Sequence, residues 1–135
     1  MALFGKCGNT TKMFSIPLIA LAAILNACMD KYQFHYHRSV FMKYHLVKFF
    51  MSDGWLNKYV DRDPAKGRVK IWGVNMHPAF LDVWHFCKSG MVILICAAVV
   101  LHQPIMGLVY DLILYGLVWN LTFSLFWGFI LESND

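Results

Sequence analysis

Asp82 and His85 stand three residues apart, so on a helix they share one face, and Ser89 extends that face by a further turn. A carboxylate beside an imidazole orients the ring and fixes its tautomer, as a general base or a metal ligand requires. Asn26 and Asp30 have the i, i+4 spacing of a second helical face, followed at once by Lys31, His35, His37 and Arg38. Asn120, Thr122 and Ser124 form a third polar group near the C-terminal end. Asp82, His85, Asp30 and His35 are therefore the candidate catalytic residues, for acid/base work. Lys58, Lys88 and Arg38, with Asn57 and Tyr59, are the candidate substrate-binding residues, the cations serving to hold phosphate oxygens. Each group also admits a plainer role. Asp in a first turn complements the helix dipole, and His is at ease in the headgroup layer. Asn, Thr and Ser in an apolar helix commonly bond a neighbouring helix, and a basic loop is held by anionic lipid.

Other chemistries find less support. The chain has no Walker loop, GxGxxG, GxSxG or HExxH sequence. Cys7, Cys28, Cys87 and Cys96 have no paired-ligand spacing and are expected to be free thiols. His35-x-His37 with Asp30 and His85 could ligate a metal, but the HxxxH and HxxHH spacings of membrane di-iron hydroxylases are missing, so neither metal nor cofactor is expected. Asn9-Thr10-Thr11 has the form of a glycosylation sequon, without meaning in a bacterial chain.

The elements that must position these residues follow from composition. The 135 residues make one structural unit with no need of a second domain. They are 59% hydrophobic and 15% charged, against roughly 45–50% and about 25% in soluble domains, with a mean hydropathy of +0.49. Disorder is excluded, and a bilayer is the natural solvent. Residues 30–88 hold 10 of the 12 Lys/Arg and 5 of the 8 Asp/Glu, so a wet basic middle separates two apolar blocks. That is a membrane pattern rather than a nucleic-acid pattern.

The first block, residues 13–29, has 17 residues without a charge, the minimum for a crossing. The second, residues 89–131, has 43 residues with a single charge and must turn back. His102-Gln103-Pro104 is the best turn, with Tyr110-Asp111 as the alternative. The fold class is therefore all-α and integral to the membrane, with helices over about 13–29, 79–102 and 105–131. Closure at Gln103-Pro104 would bring His85 to the level of Thr122, and Asp111 could pair with His102. Within the segment 30–78, residues 40–51 mix bulky apolar side chains with Lys43, His45 and Lys48, as an amphipathic interfacial helix does. The stretch 61–70 reads as a solvent loop. Thirteen of the 22 aromatics lie in residues 30–88, among them Trp55, Trp72 and Trp84, which suits a headgroup belt.

The basic middle predicts a cytoplasmic central loop in the bacterial inner membrane, with the N-terminus outside and the C-terminus inside. Lys6, Lys12 and the sequence Leu25-Asn26-Ala27-Cys28 also fit a signal peptide ending in an acylated cysteine, which would invert that orientation.

The pattern Phe34-His35-Tyr36, then Asn57-Lys58-Tyr59, Asp63-Pro64 and Gly67-Arg68, then Asp82-x-Trp84-His85 resembles a group of uncharacterised small polytopic membrane proteins from Bacteroidetes-type bacteria and their phages. The resemblance covers about residues 25–131 and implies the architecture, with no activity attached. Asp30-Lys31 followed by His35 is also similar to the Asp-Lys-x-x-His start of VanZ-like proteins, with the histidine one residue late. That likeness implies work on lipid headgroups.

Two functions follow as expectations. The chain binds or modifies a lipid headgroup or lipid-linked phosphate, with membrane lipid as its partner. Alternatively it is a non-catalytic accessory factor of a phage or mobile element that assembles with itself or with another membrane protein through small residues such as Gly90, Ala97, Gly107 and Gly116. A pore built around Asp111 is a third possibility. Nucleic acid is not an expected partner.

Overall fold

A backbone in hydrocarbon must satisfy its own amides, and the long uncharged stretches of this chain do so as helices. The computed structural model describes residues 14–133; Lys6, Cys7, the Asn9 sequon, Lys12 and Met13 lie outside the described residues. Among the described residues, three helices are long and apolar enough to cross a membrane. These are α1 (Ser15–Phe34), α2 (Val83–Val100) and α3 (Leu108–Leu125), the last prolonged by a π-helical turn over Phe126–Ile130. At 1.5 Å per residue the 20 residues of α1 span about 30 Å, the thickness of the hydrocarbon core.

The boundaries differ from the sequence expectation for identifiable reasons. α1 runs on past Met29 because the charge at Lys31 is buried against Glu132 and Tyr32 packs into the core. α2 starts at Val83 rather than near residue 79, because Asp82 is its N-cap and Pro78–Phe80 forms a separate 3₁₀ turn. α3 starts at Leu108, after Gly107 at φ 114°. The Asp111 carboxylate turns back to accept the Ile105 and Met106 amides, each at 3.0 Å, and so belongs to the first turn of α3, not to a reversal of the chain.

α1 packs against both α2 and α3, while α2 and α3 scarcely touch. The last two helices fold back on each other after His102 as expected, but each packs on α1 rather than on the other. Ala22, Ala23 and Ala27 of α1 are fully buried, small enough to let the neighbouring helices approach closely. α3 exposes Leu112, Ile113, Leu117, Leu121 and Leu125, a face for lipid. Asn120 is also exposed, and its amide donates to the Gly116 carbonyl of its own helix at 2.8 Å. At the end of the bundle remote from the central segment, Ser15 Oγ lies 2.6 Å from Tyr115 OH, which lies 2.8 Å from His102 Nδ1. His102 Nε2 is 3.9 Å from the Asp111 carboxylate, the pairing expected of those two residues.

The central segment is a chain of short 3₁₀ turns with one hairpin, β1 (Lys70–Ile71) against β2 (Val74–Asn75). Residues 40–51 do not form one helix: 3₁₀ turns over Val40–Tyr44 and Lys48–Phe50 are separated by Val47 in extended conformation. The C-terminal residues return to this segment. Val40 N–H donates to the Leu131 carbonyl at 3.1 Å, and Ser133 N–H to the Arg38 carbonyl at 2.8 Å.

Candidate functional site

The first turn of α2 assembles the site. Asp82 is 2% exposed, and its Oδ1 accepts the His85 backbone N–H at 2.9 Å, capping the helix. The same carboxylate lies 2.8 and 3.0 Å from His85 Nδ1, so one side chain both caps the helix and holds the imidazole. With Nδ1–H directed to the carboxylate, Nε2 is the basic nitrogen of the neutral ring. Trp84 stands edge-on to His85 at 5.1 Å and restricts it further.

α1 and the central segment supply the other walls. Tyr32 and Tyr36, one turn apart, meet edge to face at 5.7 Å. Tyr32 OH donates to the Met51 carbonyl, and Tyr36 OH donates to the Phe50 carbonyl at 2.7 Å. Burial, followed by the negative charge of Asp53, raises the Tyr36 phenol above its ordinary value. Gly54 fits where nothing larger does: a Cβ there would lie 2.7 Å from Asp82 Cβ and 2.8 Å from Tyr32 OH. Arg62 braces the turn through Asp53 Oδ1 at 2.5 Å and the Asp53 carbonyl at 3.2 Å.

These walls enclose an open cleft of about 450 Å³. Asp82, His85 and Trp84 line it from α2, Tyr32 and His37 from the α1 side, and Ser52 and Trp55 from the central segment. Two lysines stand over rings of its tryptophans without lining it. Lys88 Nζ lies 4.6 Å from the centroid of the Trp84 ring, and Lys58 Nζ lies 5.4 Å from that of Trp55.

The four candidate catalytic residues thus divide into two pairs. Asp82 and His85 share the cleft, whereas Asp30 and His35 line a separate hollow of about 360 Å³ with Phe123 and Trp127. His35 stands edge-on to Trp127 at 5.2 Å. None of the candidate binding residues lines the cleft: Lys88 stands over the Trp84 ring, and Lys58 over the rings of Tyr59 at 5.1 Å and Trp55 at 5.4 Å. Arg38 is exposed beside the C-terminal residues. Asn57 serves as a clamp, its amide donating to the Lys48 carbonyl at 2.8 Å and the Leu81 carbonyl at 2.7 Å. Tyr59 lines a third hollow, with Asn57 and Arg62. Sequence reasoning did not single out Tyr32 or Ser52, and it named His37 and Trp55 only as a possible metal ligand and a headgroup aromatic. The i, i+4 spacing of Tyr32 and Tyr36 was the one available signal; the others reach the cleft through turns that carry no periodicity.

Among the described residues, no three His, Cys, Asp or Glu side chains come together as a metal site. His37 joins His85 in the cleft, away from Asp30 and His35. Cys28 and Cys87 are free thiols in the α1–α2 core. The cleft therefore offers a held imidazole and hydroxyls between two tryptophans whose rings each carry an ammonium group, a set suited to proton transfer. No family model, curated protein or solved structure matches the chain.

Proposed function

We propose that the cleft takes the headgroup of a membrane lipid or lipid-linked phosphate and that Asp82 and His85 carry out acid/base chemistry on it. In this reading the chain sits in the bacterial inner membrane with the cleft on the cytoplasmic side. The observation that carries the proposal is the buried Asp82 carboxylate holding His85 Nδ1 in a cleft whose two tryptophan walls each bear a lysine. His85 Nε2 takes or returns the proton, Asp82 stabilises the imidazolium, and Lys58 and Lys88 neutralise phosphate oxygens. Acid/base assistance of this kind contributes about 10²–10⁴ in rate.

Native mass spectrometry of protein extracted from its own membrane tests this. Wild type is expected to carry one class of anionic lipid, and the double variant Lys58→Ala/Lys88→Ala to lose it. His85→Ala retains the unreacted lipid, which wild type consumes when the two are mixed. The same lipid profile in all three proteins would overturn the reading and favour the non-catalytic accessory factor.

Asp82 also caps α2, and two substitutions separate that duty from chemistry. Asn is itself a good N-cap, so Asp82→Asn should melt close to wild type, while Asp82→Ala loses about 1 kcal/mol. Both should fail to consume the lipid retained by His85→Ala. Full turnover by Asp82→Asn would reduce Asp82 to a cap.

A further inference from the structure

The hairpin of the central segment presents apolar side chains that nothing among the described residues covers. Trp72 is 99% exposed, Val74 70% and Ile71 51%. The two-residue turn has positive φ at both positions, 51° at Trp72 and 82° at Gly73. Glycine adopts that conformation freely and a bulky aromatic does not, so the turn holds the indole outward in a strained backbone where Asn or Gly would be the relaxed choice.

The hairpin is held at its base. Met76 N–H donates to the Val69 carbonyl at 3.1 Å, Val69 N–H to Lys58 at 2.9 Å, and Val60 N–H to Gly67 at 3.0 Å, so the ribbon continues into the segment that carries Trp55 and Lys58. A two-stranded ribbon with two residues per strand has little stability of its own, and an apolar tip on one calls for a covering surface.

Charge and reach identify that surface. Arg68 and Lys70 are exposed beside the tip, and Lys66 is balanced by Asp61 at 2.9 Å, leaving the ribbon cationic. Leu81 lies nine positions after Trp72, next to the N-cap of a helix long and apolar enough to cross a membrane, so the tip lies within about 30 Å of that helix start at full extension. Trp is the side chain suited to the headgroup layer, and Arg and Lys are drawn to anionic lipid.

We propose that the turn at residues 71–74 is an interfacial anchor. Trp72 enters the headgroup layer of the leaflet from which α2 starts, while Arg68 and Lys70 meet lipid phosphates. The anchor fixes the outer wall of the cleft to the bilayer surface at a second point, independent of the helices. It requires that α2 spans the membrane, and it stands whether or not the cleft is catalytic.

The test uses the full chain in vesicles of phosphatidylcholine with a minority of phosphatidylglycerol, prepared with ordinary or dibrominated acyl chains. Subtracting the emission of Trp72→Phe from that of wild type isolates the Trp72 signal. The expected signal is blue-shifted, loses most of its intensity with brominated lipid, and loses less when Arg68 and Lys70 are both replaced by Ser. A red-shifted signal quenched by aqueous iodide would overturn the proposal. So would a blue-shifted signal untouched by brominated lipid, which would mean that a second copy or another protein covers the tip.

Discussion

Lys31 is a cation with 1% of its surface exposed, in a helix long enough to cross a membrane. A charge in that position is tolerated only when paired. Its ammonium meets the Glu132 carboxylate and stands 4.2 Å from the centroid of Trp127. The hydrogen bond from Lys31 holds the Glu132 carboxyl below its ordinary value of 4.5, and the charges of Lys31, Arg38 and His35 add to the effect. A carboxyl lowered by folding contributes stability above its unfolded value and loses it as pH falls through the folded one. Thermal unfolding in detergent should therefore show wild type losing melting temperature below about pH 4.5 more steeply than Glu132→Gln, which is less stable at neutral pH. Parallel pH profiles for the two proteins would refute the assignment. This pair was invisible in the sequence because its members lie 101 residues apart, whereas Asp82 and His85 were legible because a cap carboxylate necessarily meets the residue three positions on.

At the scale of elements, hydropathy marks the three helices because a crossing needs length and apolarity, both local properties. Which helix packs between the others is not local, and Asp30 and His35 accordingly turned out to line a hollow of their own. The segment 40–51 shows the second limit. Its alternation fits a helix, yet the carbonyls of Lys48, Phe50 and Met51 are taken by Asn57, Tyr36 and Tyr32. Tertiary donors thus compete with the i→i+4 ladder, and the backbone settles into short turns. Two glycines test how tightly these elements meet. Gly54→Ala would press its Cβ on Asp82 Cβ and the Tyr32 hydroxyl, displacing the turn from the cap of α2, and should cost about 1–3 kcal/mol. Gly90→Ala meets only the Leu25 Cδ1 methyl at 2.8 Å, the end of a side chain that can rotate, and should be nearly neutral. Urea or thermal unfolding in micelles distinguishes the two, and equal losses would mean that the α1–α2 seam is as rigid as the cleft.

For the whole molecule, three helices long and apolar enough to cross would put the two ends of the bundle on opposite faces of a bilayer, and the hydrogen bonds decide which parts share a face. Leu131 and Ser133 are bonded to Val40 and Arg38, so the C-terminal residues stand with the central segment, and the His102 turn stands at the other end. The absolute direction rests on charge. The central segment carries 10 of the 12 Lys/Arg, while Lys6 and Lys12 precede α1 and pull the opposite way with a fifth of that number. In the orientation proposed above, the positive-inside rule would keep the larger cluster in the cytoplasm, together with the cleft and the C-terminus. A fluorescent protein fused after Asp135 should then fold and emit in the host cell, and alkaline phosphatase at the same position should be inactive. Active phosphatase there would turn the molecule over, place the Asp82–His85 cleft on the outer face, and restrict its ligands to lipids of the outer leaflet. Either result leaves the cleft geometry intact, because the ties of Glu132 to Lys31 and of Ser133 to Arg38 move with the chain as one body.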